Sequence, residues 1–207
     1  MHISEGILSV PVLVSGVALA GLGTAIGLKN LDYDRIAGVG VLSSAFFVAS
    51  LIHINIGPAS VHLILNGIVG LMLGWIAFPA ILVALTLQAV FFQFGGITTL
   101  GINTVNMALP AVVCYALFHR MLWKSDVIWV SAAFFTGFLS VLFAAVMVGL
   151  SLIFTEQGFF EVTALIVGAN VPVMIVEGLI TIFCIGFIKK VQPTLLPGQG
   201  NVKANSN

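Results

Sequence analysis

Apolar residues in this chain come in long continuous runs, and short polar interruptions set the runs apart. The runs cover roughly 10–28, 36–54, 61–76, 78–94, 103–119, 127–154 and 162–188. A helix needs about 20 residues to cross a hydrocarbon core about 30 Å thick. The pattern therefore predicts an all-α membrane protein of seven transmembrane helices, the third short enough to be tilted or partly re-entrant. Residues 1–190 read as one transmembrane domain. Residues 191–207 read as a tail, and its end, GQGNVKANSN, has the composition of a disordered segment.

Composition narrows this without changing it. With 60% hydrophobic residues, 7% charged residues and a mean hydropathy of +1.20, the chain cannot be a soluble domain. Glu5 precedes the first run with no Lys or Arg, so that run is not expected to be a cleaved signal. Lys29 and Arg35, Arg120 and Lys124, and Lys189 and Lys190 fall at alternate run ends, which places that side in the cytoplasm by the positive-inside rule. The N-terminus and the segments 53–60, 95–102 and 155–161 are then expected outside, and the tail inside. Cys114 and Cys184 lie within apolar runs and read as packing residues. A formal net charge of zero gives no sign of a nucleic-acid partner.

The candidate chemistry begins at Met1-His2. The Met1 amine and the His2 amide nitrogen close a five-membered chelate ring on a metal, and the amide nitrogen with His2 Nδ1 closes a six-membered one. Peptide planarity keeps the three nitrogens nearly coplanar. A fourth corner stays open for another imidazole, and square-planar nitrogen coordination suits Ni(II) or Cu(II). The segment His53-Ile54-Asn55-Ile56-Gly57-Pro58-Ala59-Ser60-Val61-His62 offers two. Its Gly-Pro break predicts non-helical backbone sheltered within the bundle, with Ser60 capping a helix that starts near Val61 and His62 in the first turn. A histidine in a span is most often a hydrogen-bonded core residue, but beside a chelating N-terminus His62 is the first choice for the fourth ligand. His53 competes for that place or supports it.

A second polar island runs from Gln88 to Met107. Gly95, Gly96 and Gly101 permit tight or left-handed backbone, and Thr98, Thr99, Asn103, Thr104 and Asn106 can satisfy main-chain groups. The island predicts a loop folded over the site, with Thr98, Asn103 and Glu5 near the metal. Glu177, in the middle of the last run, is costly there unless protonated or paired. An alternative reading joins His53, His62 and Glu177 in a membrane-embedded zinc enzyme, although no compact HExxH motif supports it. No GxxxxGK phosphate loop followed by Ser or Thr occurs in these 207 residues.

MHISEGIL, GPASVHL, FGGITTLGINTVNMALP and NVPVMIVEG together resemble the CbiM/NikM family, the substrate-capture membrane subunits of energy-coupling-factor cobalt and nickel transporters. The resemblance covers essentially the whole chain. It implies seven helices with an external N-terminus inserted into the bundle, a Ni(II) or Co(II) substrate held by the Met1 amine, the His2 amide, the His2 imidazole and His62, and no organic cofactor. It also implies a transmembrane coupling subunit, two cytoplasmic ATPases, a small accessory membrane subunit, and a place in a bacterial or archaeal cell membrane, with cobalt serving cobalamin biosynthesis. Many family members carry Gly-Thr-Ser-x-His where this chain has Gly-Pro-Ala-Ser-Val-His, so the surroundings of the ligand are expected to differ. Small residues of the first span, Gly16, Ala20, Gly23 and Gly27, are expected to meet a partner subunit.

Overall fold

The computed structural model describes residues 2–51, 53–56 and 59–197. Eight α-helices are formed among them: α1 (Val10–Lys29), α2 (Ile36–Ala49), α3 (Asn66–Leu73), α4 (Ala77–Phe92), α5 (Leu100–Phe118), α6 (Asp126–Ile153), α7 (Phe160–Ala169) and α8 (Val171–Val191). Between α2 and α3 stands an antiparallel hairpin of β1 (His53–Ile56) and β2 (Ala59–His62), pairing His53 with His62 and Ile56 with Ala59. The fold is mostly helical, and this hairpin departs from the all-α expectation.

Among the described residues five helical stretches are long and apolar enough to cross a membrane: Val10–Lys29, Asn66–Phe92, Leu100–Trp123, Asp126–Ile153 and Phe160–Val191. They stand where seven spans were expected; the first two of three differences lower the number, and the third divides the last stretch. The run 36–54 gives a helix of 14 residues that stops at Ala49, before the hairpin. The run 61–76 divides between β2 and α3, whose 8 residues rise about 12 Å at about 1.5 Å each; α3 then turns through Gly74–Ile76 into α4. The last run breaks at Asn170 into α7 and α8, where Pro172 occupies the first turn of the new helix, a position that lacks an amide partner in any case.

Helices α5, α6 and α4 supply most of the core, around Ile81, Met107, Ala111, Val141 and Leu152. The small residues of α1 face inward. A side chain at Gly16 would lie 2.7 Å from Ile102 of α5, and one at Gly27 would lie 2.5 Å from the carbonyl of Trp75, while Gly23 abuts Phe78. The expected partner-facing stripe is therefore packed against the chain's own helices, and Val10, Val14, Val17 and Leu22 make the exposed side.

At one end of the bundle, cations meet helix C-termini, where carbonyls lack partners. Arg35 Nη2 donates to Met72 O (2.8 Å) and Lys189 Nζ to Leu122 O (2.7 Å). The chain remains seated there up to Pro197, whose carbonyl accepts from Trp123 Nε1 at 2.7 Å.

Candidate metal centre

The N-terminal segment enters the bundle and is clamped by side chains from the 88–103 region. Asn103, in the first turn of α5, accepts from the Ile3 amide (2.9 Å) and donates through Nδ2 to the Ile3 carbonyl (3.1 Å), as a paired strand would. Glu5 accepts from the Thr98 amide (2.9 Å) and hydroxyl (3.1 Å) through one oxygen. The Thr98 amide, its hydroxyl and the Ile97 amide hold the exposed Glu5 carboxyl below its ordinary range. The loop reaches both because Gly95 (φ 76°) and Gly96 (φ 121°) adopt left-handed backbone, and a side chain on Gly96 would run into Glu5.

His2 is thereby seated at 5% exposure. Its Nε2 lies 2.6 Å from Gln88 Oε1 on α4. The orientation of that amide follows from its other end, where Gln88 Nε2 donates to the Ser50 hydroxyl and, at 3.5 Å, to the Phe47 carbonyl, an acceptor with no proton to give. The Gln88 oxygen therefore faces His2, so His2 Nε2 carries the proton and Nδ1 a lone pair.

His62, the last residue of β2 and 3% exposed, approaches from the other side. Its Nδ1 lies 2.9 Å from the Leu63 carbonyl, which can only accept, so Nδ1 is protonated and Nε2 bears the lone pair. That Nε2 sits 3.2 Å from His2 Nδ1, with ring centroids 4.8 Å apart and planes at 74°. Two imidazole nitrogens thus meet face to face in a buried site. Metal–imidazole bonds of about 2.0–2.1 Å put adjacent corners of a four-coordinate site about 3 Å apart, close to the observed separation.

His62 therefore occupies the end of a strand and not a helical first turn. The helix starts three residues after Leu63, at Asn66, so Ser60 does not cap a helix at Val61. Met1 and the side chains of His53 and Ser60 lie outside the described residues; His53 stands opposite His62 in the hairpin register. Among the described residues no group of three or more His, Cys, Asp or Glu gathers. Glu177 is engaged with the amides of Ile64 and Leu65, which leaves the zinc-enzyme alternative without support. The sequence expectations gave Gln88 no role beside His2 and did not include Ser50. The available signal was a single amide within the apolar run ILVALTLQAVFF.

The family model described as the cobalt uptake substrate-specific transmembrane region, CbiM, matches residues 2–195. The chain belongs to the CbiM family. A CbiM relative named for metal transport in Haemophilus influenzae is 38% identical over 201 residues, covering 95% of this chain and 97% of that one. The cobalt transport protein CbiM of Sorangium cellulosum is 28% identical over 95% of this chain and 94% of its own. A crystal structure of a transition metal transporter superposes with a TM-score of 0.76 at 26% identity, covering 92% of this chain and 93% of that one. Membership of this cobalt-uptake family makes the CbiM chain a metal transport component, and several of its helices are apolar enough to cross a membrane.

Proposed function

We propose that the protein is the substrate-binding component of an energy-coupling-factor importer, and that it captures Ni(II) or Co(II) at the outer face in a site of four nitrogens. The ligands are the Met1 amine, the His2 amide nitrogen, His2 Nδ1 and His62 Nε2. The observation that carries this reading is the approach of His62 Nε2 to His2 Nδ1 at 3.2 Å in a buried site, with the other nitrogen of each ring bonded to an oxygen. The backbone side of the chelate follows from bond counting at residues 1 and 2.

Each imidazole has its other nitrogen bonded to a carbonyl-type oxygen, the arrangement that orients metal-binding histidines. Coordination of the amide nitrogen requires loss of its proton, so affinity rises with pH. A planar four-nitrogen site suits Ni(II) better than Co(II). The protein supplies no chemical step. A transmembrane coupling subunit, two cytoplasmic ATPases and a small accessory membrane subunit complete the importer in a bacterial or archaeal cell membrane, with the basic end of the bundle inside.

Elemental analysis of purified protein tests this, comparing native Met1-His2 with a variant carrying one residue inserted between them. Near-stoichiometric nickel or cobalt that vanishes in the variant is expected. Equal metal in both, or none in either, would overturn the chelate.

A further inference from the structure

Glu177 lies in the N-terminal third of α8, fully buried, and its oxygen Oε1 accepts from two backbone amides, Ile64 at 2.5 Å and Leu65 at 2.6 Å. These partners are 113 and 112 residues away in the chain. The first amides of a helix have no partners within it, and the residue before the helix usually supplies one. Here that residue is Leu65, whose apolar side chain caps nothing and whose backbone is left-handed (φ 58°, ψ 21°). Left-handed backbone is unfavourable for any residue with a Cβ. The carboxylate of α8 binds the amides of Ile64 and Leu65, just ahead of the helix, and so holds the turn that enters it.

The Ile64 amide and the Leu63 carbonyl belong to one planar peptide unit. Its N–H donates to Glu177, and its C=O accepts from His62 Nδ1 at 2.9 Å. The peptide group therefore links a carboxylate to the imidazole. We propose that Glu177 is a positioning residue for metal capture: by fixing the 63–64 peptide plane it selects the His62 tautomer and aims Nε2 at His2. A carboxylate on the N–H also polarises the carbonyl, which makes the imidazole a better donor to metal, as a directly bonded carboxylate does in many metal sites. The helices come close enough for this contact because glycines line the crossing. A side chain at Gly67 of α3 would lie 2.7 Å from Gly137 of α6, and one at Gly137 would strike the Glu177 carbonyl.

The inference rests on the metal site proposed above. Its test is the visible absorption of Ni(II) bound to the detergent-solubilised full chain, together with Ni(II) affinity, in wild type, Glu177→Leu, Glu177→Gln and His62→Ala. Gln keeps an oxygen for both amides, so Glu177→Gln is expected to retain the wild-type band. Glu177→Leu is expected to lose 10- to 100-fold in affinity and to shift its band to that of His62→Ala. A purely structural role would lower thermal stability without moving the band. Should Glu177→Leu fail to fold, Glu177→Asp carries the test, because it is one methylene short of the two amides; its band is expected to move in the same direction. A folded Glu177→Leu or Glu177→Asp with wild-type band and affinity overturns the positioning role. Absence of Ni(II) from the wild type overturns the site reading, and this inference with it.

Discussion

The two histidine segments are held in place by different means. Residues 2–5 are held mainly by neutral groups: Asn103 pairs with both main-chain groups of Ile3, and Gln88 orients the His2 ring. Residues 62–65 are held by a carboxylate, Glu177, acting on two successive amides. Amide pairing fixes geometry without adding charge, whereas a carboxylate fixes geometry and polarises what it touches. The first segment resembles an inserted strand whose place is defined by hydrogen bonds. The second is a turn in an unfavourable conformation that depends on its partner across the bundle.

The largest effect that would bear on this contrast is removal of either imidazole. His2→Ala is expected to abolish stoichiometric nickel or cobalt in elemental analysis, and His62→Ala, which keeps the nitrogens of residues 1 and 2, to lower the metal content while still binding Ni(II) in titration. Next comes Asn103→Ala, which orphans the buried amide and carbonyl of Ile3. Unpaired buried groups cost about 1–3 kcal/mol each, so the segment should dissociate from its groove and metal affinity should fall at least about tenfold. Limited proteolysis of the first residues would report that release, and wild-type resistance would show that Ile3 is held otherwise.

Gln88→Ala is expected to weaken affinity by roughly tenfold without loosening the chain, because it frees the His2 ring alone. Titration with Ni(II) checks this, and an unchanged affinity would mean that Gln88 does not orient the ring. The smallest effect is Glu5→Gln. The Glu5 carboxyl titrates below its ordinary range through its bonds to Thr98, so its stabilisation of the 95–99 loop is complete above the unfolded-state carboxylate pKa and disappears as pH falls through the lowered value. Wild type should therefore hold metal slightly better than Glu5→Gln near neutrality, and the two should converge in acid. A constant ratio at every pH would remove Glu5 from the loop's closure.

Several parts of this design were legible in the chain. Long apolar runs located α1, α5 and α6, and the two histidines singled out in the sequence, His2 and His62, meet in the fold. The Gly95-Gly96 pair marked a left-handed turn, as found. The start of the third span was not legible. In VHLILNGIVG an apolar run fits strand or helix equally well, and the deciding contact comes from Glu177, more than a hundred residues later. Nor does the small-residue stripe of α1 name its partner. Gly16, Gly23 and Gly27 show that another helix comes close, and only the fold reveals that α4 and α5 fill that space.

The buried meeting of His2 Nδ1 and His62 Nε2 sets protons against metal ions. Every nitrogen that binds a metal must first give up any proton it holds, so at the four-nitrogen site proposed above acidity and metal compete for a single seat.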